Sequence, residues 1–201
     1  VEEVTAPEGY TQSSAYVTVS VDTNTAYMID PTSEDAIIEV EYENHPVKGE
    51  LTIYKQGELL TDYDQDFQYE LCGLKGVTFE VYAAEDIYTA DHQVDENGKR
   101  NLYYAKDALV AKVTTDEDGY AYVKNLPLGE YYVKESEALE GFVHNENSEK
   151  AVFVYADQNT SVVFDQVSFT NERQKVSIAV EKQNADNGNV VSGAIFGIYN
   201  A

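Results

Sequence analysis

The 201 residues carry 13 lysines and arginines against 37 aspartates and glutamates, a formal charge of −24. So acidic a surface repels phosphate, which excludes nucleic acid as a partner. With 43% hydrophobic residues the chain can build a core, and 17 Tyr and 7 Phe favour β-structure over helix. The single cysteine, Cys72, rules out an intrachain disulfide. No apolar run is long enough to span a membrane, so no direct membrane contact is expected. Val1 begins in mid-pattern, and the sequence reads as an excerpt of a longer chain.

Taken in order, strands are predicted near 50–56, 76–84, 109–115, 120–125, 129–136, 150–156 and 162–171. Asn97-Gly98 and Asp118-Gly119 are two-residue turn signals between strand-like runs. Residues 86–107 read as a long connection with one helical turn near 104–107. Seven short strands at this spacing predict an all-β, antiparallel, Ig-like sandwich.

Self-comparison divides the chain. Glu3-Val-Thr-Ala-Pro-Glu-Gly-Tyr10 matches Glu135-Ser-Glu-Ala-Leu-Glu-Gly-Phe142, and Asn44 precedes Lys55 by the spacing that separates Asn171 from Lys182. Gly76-Val-Thr-Phe-Glu-Val-Tyr82 matches Gly193-Ala-Ile-Phe-Gly-Ile-Tyr199, with an acidic insertion at 57–70. A period of about 127 residues describes whole domains in tandem, too long for a solenoid repeat. Residues 1–47 are read as the closing part of one domain, 48–174 as a complete domain, and 175–201 as the opening strands of a third. His45-Pro-Val47 and Glu172-Arg-Gln174 form the short joints.

Strand parity exposes an anomaly. Leu51, Ile53 and Lys55 share a face, as do Tyr131, Val133 and Glu135, and Val167, Phe169 and Asn171. The copies repeat it: Val176, Ile178, Val180 and Lys182; Ile38, Val40, Tyr42 and Asn44. A polar residue at the inward end of an apolar face has a bland reading, in which Lys snorkels, Glu turns outwards and Asn ends a strand. In the other reading the three meet. Burial lowers a lysine pKa and raises a glutamate pKa, so a neutral amine can attack a carboxamide while the acid shuttles protons.

The segments Leu51-Thr-Ile-Tyr-Lys55, Gly76-Val-Thr-Phe-Glu-Val-Tyr-Ala-Ala84, Asn125-Leu-Pro-Leu-Gly-Glu-Tyr-Tyr-Val-Lys-Glu135 and Val167-Ser-Phe-Thr-Asn171 resemble the Cna B-type domains. These are also called SpaA-like or prealbumin-like, and occur in Gram-positive surface adhesins and pilins. The resemblance implies an autocatalytic isopeptide bond between Lys55 and Asn171 promoted by Glu135, with no cofactor and no metal. It also implies a stalk module at the cell surface or cell wall, whose partners are adjacent domains of the same chain, with a host matrix or glycan ligand for the full-length protein. Glu3, Asn44 and Lys182 are then orphan partners belonging to truncated neighbours. The middle unit departs from the family's Ala-Pro-x-Gly-Tyr, intact at Ala6 to Tyr10, by reading Ala138-Leu-Glu-Gly-Phe142.

Other signals are weaker. Leu126-Pro-Leu-Gly129 lacks the Thr of a sortase signal and reads as a turn. Asp62, Asp64 and Asp66 begin like a calcium loop, but Phe67 and Gly73 occupy positions where an EF-hand needs Gly and Glu. Loops 57–70 and 86–107 could serve a carbohydrate- or matrix-binding module. A turnover enzyme has no supporting constellation, and self-cross-linking would be a single turnover.

Overall fold

The computed structural model describes residues 1–32, 36–62 and 67–197. The two-residue period governs its first strand. β1 (Lys48–Asp62) buries Gly49, Leu51, Ile53, Lys55 and Gly57 and leaves the alternate residues partly exposed, until it runs out into solvent at Leu59. Nine strands follow: β2 (Gln68–Gly73), β3 (Thr78–Ala83), β4 (Ile87–Tyr88), β5 (Leu102–Tyr104), β6 (Leu109–Thr114), β7 (Tyr120–Leu126), β8 (Gly129–Glu137), β9 (Ser148–Phe153) and β10 (Val162–Asn171). A five-residue helix, α1 (Thr25–Ile29), lies in the N-terminal flank.

Two sheets face each other across one core. In the first, β10 pairs with one edge of β1, while β7 and then β2 share the other edge. The second runs β6-β3-β8-β9. Leu51, Ile53, Val167 and Phe169 from the first sheet meet Phe79, Val81, Tyr131, Val133 and Phe153 from the second, all nearly or fully buried. Each such side chain contributes roughly 1.5–3 kcal/mol of burial. Tyr131 keeps its hydroxyl satisfied by donating to the Pro127 carbonyl, 2.8 Å away.

The all-β sandwich agrees with the sequence reading, but several details differ. The first and last strands run parallel: β1 pairs with β10 in register from Lys48↔Val162 to Gly57↔Asn171. The other strand pairs are antiparallel. The acidic insertion extends β1 and returns as β2, a hairpin arm beyond the core. Asp118-Gly119 does not close a hairpin within one sheet. It carries the chain from β6 in one sheet to β7 in the other, with Asp116 Oδ1 accepting from the Asp118 and Tyr120 amides. Residues 86–107 form a two-stranded ribbon, β4 with β5, and Asp107 takes a left-handed turn (φ 63°) where a helical turn was expected.

The flanks carry no named strand among the described residues. Val176, Ile178 and Val180 are 90%, 66% and 54% exposed, although their alternation reads as a strand. A strand needs a hydrogen-bonding neighbour and an apolar layer to cover it, and among the described residues neither lies beside this segment.

Candidate functional site

Lys55 sits where β1 changes partner. Tyr54 makes the last pair with β7 and Gln56 the first with β2. The Lys55 amide donates to the Gly119 carbonyl at 2.8 Å, and its carbonyl accepts from the Leu74 amide at 2.9 Å. Gly119 holds φ at +85°, and a Cβ there would lie 2.4 Å from the Lys55 carbonyl oxygen. The lysine backbone is therefore gripped from both sides, and only the side chain extends into the core.

Asn171 ends β10, directly beside Gly57 and one inward step beyond the Lys55↔Phe169 pair. Parallel pairing brings the C-terminal ends of the first and last strands to the same end of the sheet. An antiparallel pair would have put these two residues at opposite ends. Glu135 comes from β8 in the facing sheet, opposite Phe79. It therefore meets the other two across the core and not along a shared edge.

The three side chains converge. Lys55 Nζ lies 2.8 Å from Glu135 Oε2 and also donates to Asn171 Oδ1. Asn171 Nδ2 donates to Glu135 Oε1 at 2.6 Å. Lys55 is 0%, Asn171 2% and Glu135 4% exposed. The Phe169 ring centre lies 6.0 Å from the amine, and Phe79 packs against Phe169 at 4.8 Å between centroids. Burial pushes the Lys55 amine below its ordinary pKa and outweighs the hydrogen bond and charge of Glu135, which act the other way. One carboxylate thus touches both the nitrogen that could lose a proton and the amide nitrogen that could gain one.

Other contributors did not stand out in the sequence. Gly57 faces inward where the pattern calls for bulk, and a Cβ there would fall 2.6 Å from Phe142 and 2.8 Å from Leu74. An inward glycine in a strand is the available signal of such close approach. His144 Nε2 lies 3.1 Å from the Glu135 carbonyl; a carbonyl only accepts, so this nitrogen carries the proton.

The corner after Glu135 recurs after Glu3. Asn44 Nδ2 donates to both Glu3 oxygens, at 2.9 and 2.7 Å. Gln12 Nε2 donates to the Glu3 carbonyl as His144 does to that of Glu135. The backbone bonds Thr11→His45 and Val47→Gly9 correspond to Val143→Glu172 and Gln174→Gly141. No lysine precedes Lys48 in the sequence, and the Ser13 amide occupies Glu3 Oε2 at 2.6 Å. Lys182 is exposed, and among the described residues no hydrogen bond or ion pair joins it to Glu3 or Asn44. Leu126 to Gly129 carry the chain from β7 to β8. Asp64 and Asp66 lie outside the described residues, and Cys72 is half-buried on β2.

No helix among the described residues is long and apolar enough to cross a membrane. No curated protein matches the chain. Similar solved structures include the Bacillus anthracis TIE protein, 24% identical over 86% of this chain and 24% of that one, with a TM-score of 0.48. GBS52, the minor pilin of Streptococcus agalactiae, is 19% identical over 69% of this chain and 51% of its own, TM-score 0.41. The full-length major pilin SpaD of Corynebacterium diphtheriae is 22% identical over 63% and 30%, TM-score 0.37. The chain spans 24%, 51% and 30% of these three proteins. The family model for the SpaA prealbumin-like fold domain matches residues 59–168, which takes in Glu135 and stops short of Lys55 and Asn171. That match covers more than half of the chain, and the chain belongs to the SpaA family of prealbumin-like fold domains.

Proposed function

We propose that this chain is a stalk segment of a Gram-positive surface protein, covalently locked by an isopeptide bond that Lys55 and Asn171 form under the influence of Glu135. One observation carries the reading: a buried lysine amine within hydrogen-bonding reach of both a carboxamide and a carboxylate, in an aromatic-walled core. Lys55 first passes a proton to Glu135, leaving a neutral amine and a neutral acid. The amine lone pair attacks Asn171 Cγ, and the new N–C bond forms as the carbonyl π bond opens. Glu135 delivers its proton to Nδ2 and accepts one from the former lysine nitrogen. The C–Nδ2 bond breaks, ammonia leaves, and a secondary amide remains. Burial favours this neutral product over the ion pair it replaces. The side chains are packed before they react, so proximity substitutes for an external catalyst.

Intact mass tests it. The folded chain should weigh one ammonia less than its sequence, and tandem mass spectrometry should find a branched peptide joining the Lys55 and Asn171 segments. Lys55→Ala, Asn171→Ala and Glu135→Ala should keep the full mass, whereas Glu137→Ala should still lose ammonia. A full mass in well-folded wild-type chain would overturn the reading.

The same reading makes 1–47 and 175–201 parts of neighbouring domains around a complete unit at 48–174. The recurrence of the corner, with two matching backbone hydrogen bonds and a matching bond to the glutamate carbonyl, supports it. A second function, binding of a carbohydrate or matrix ligand, is favoured by one feature. The ribbon places Tyr88, His92, Arg100 and Tyr103 beside Lys48 in a cleft of about 250 Å³. Arg100 stacks on Tyr88 at 4.4 Å and Lys48 on Tyr103 at 5.0 Å. A glycan and matrix array tests this; loss of any signal in Arg100→Ala is expected if the cleft is used.

A further inference from the structure

The recurring corner is covered in one copy and bare in the other. In the first copy the loop between β9 and β10 lies on it: the Ala6 amide donates to Gln158 Oε1 and the Gln12 amide to the Gln158 carbonyl, both at 2.9 Å. The β4–β5 ribbon covers the other side, where Gly9 (φ +89°) comes so close that an added Cβ would lie 3.2 Å from the Ala90 methyl. Tyr155 reaches the Tyr10 carbonyl at 3.5 Å. Ala6, Gly9 and Val47 are buried in consequence.

The equivalents of these residues in the second copy are Ala138, Gly141 and Gln174. The backbone is the same, with Gly141 at φ +86°, but nothing lies within 4 Å of a Cβ there. Ala138 is half-buried, and Gly141, His144 and Gln174 are exposed. Among the described residues the amides of Ala138 and His144, equivalents of Ala6 and Gln12, find no hydrogen-bond acceptor. An open groove lies over Val143, His144 and Asn145, matching the one over Thr11, Gln12 and Ser13 into which Gln158 inserts.

We propose that the bare corner of the middle unit is a docking surface for a following unit of the same design, which seats its β9–β10 loop and its ribbon there as residues 157–161 and Ala90 seat on the first corner. Consecutive units are then clasped in one orientation through backbone amides, which any sequence at the corner supplies. The inference rests on the tandem-domain reading but not on the Lys55–Asn171 bond.

Hydrogen exchange resolved to single amides tests it. In the chain as it stands, Ala6 and Gln12 should exchange at least about tenfold more slowly than Ala138 and His144. Gln158→Ala should release Ala6. A fusion that appends a second copy of residues 48–174 after Gln174 reproduces the Val47–Lys48 joint. In it, Ala138 and His144 should slow to the level of Ala6 and Gln12, and Gln158→Ala in the appended copy alone should release Ala138. Slow exchange at Ala138 in the unfused chain, or fast exchange in the fusion, overturns the proposal. Ammonia loss, read by mass on the same samples, reports the covalent lock separately, so either idea can fail while the other stands.

Discussion

At the scale of single residues the site depends on one nitrogen having two fates. In Asn171→Ala, Lys55 remains a free amine whose folded pKa lies below its unfolded value because of burial. Between those two values the unfolded chain binds more protons, so the stability of the variant should rise with pH across that window and level off above the ordinary lysine pKa. In the wild type the nitrogen is an amide under the proposed reading, and this contribution disappears. Thermal melts of both proteins from neutral pH to about pH 11 should show the difference between them narrowing as pH rises. A constant difference would argue against a free, buried amine in the variant. Closing a loop between residues 116 apart should stabilise the wild type over Lys55→Ala by about 4–5 kcal/mol, by analogy with a disulfide, in denaturant melts. The inward placement of Lys55, Glu135 and Asn171 was legible in the sequence because side-chain parity is a local property of a strand. The role of Gly57 was not, because what it makes room for, Phe142 and Leu74, comes from other segments.

At the scale of elements, the grip on Lys55 lies in the turn that brings the chain from β6 to β7. Gly119→Ala adds a methyl 2.4 Å from a backbone oxygen at a left-handed φ, and neither clash nor strain can relax cheaply. It should cost about 3 kcal/mol and delay ammonia loss after refolding. Gly57→Ala meets the Phe142 and Leu74 side chains first, which can turn aside, and the Asn171 carbonyl oxygen only at 3.2 Å, and should cost about 1–2 kcal/mol. Denaturant midpoints rank the two, and the reverse order would mean that the turn does not hold the lysine. The direction of β10 was not legible. Alternation tells which face of Val167, Phe169 and Asn171 is buried, but not which strand lies alongside or which way it runs. The ribbon at 87–104 escaped for a related reason: its strands are too short to show a period, with Ile87 the buried residue among them.

At the scale of the molecule, protection should be uneven. Lys175 and Lys182 are exposed on a segment that carries no named strand among the described residues, whereas Lys55 is fully buried. Limited trypsin digestion should therefore remove the C-terminal flank first and leave 48–171 intact, and early cleavage at Lys55 would contradict the fold. The spacing of the recurring corner was legible in the sequence, but the hold of Gln158 on the Ala6 and Gln12 amides was not, since Gln158 has no pattern of its own. Tension along the chain enters β1 at Lys48 and leaves β10 at Asn171, the opposite ends of a parallel pair. Such a pull draws the strands along each other in shear, so the registered pairs share the load and do not open one after another. With Lys55 joined to Asn171, the load crosses to the last strand by Lys55, and the enclosed residues never carry it. Unjoined, the 116-residue span could unravel to roughly 400 Å at about 3.5 Å per residue. Joined, the unit hardly lengthens at all, and a row of such units behaves as a cable where unlocked ones would behave as springs.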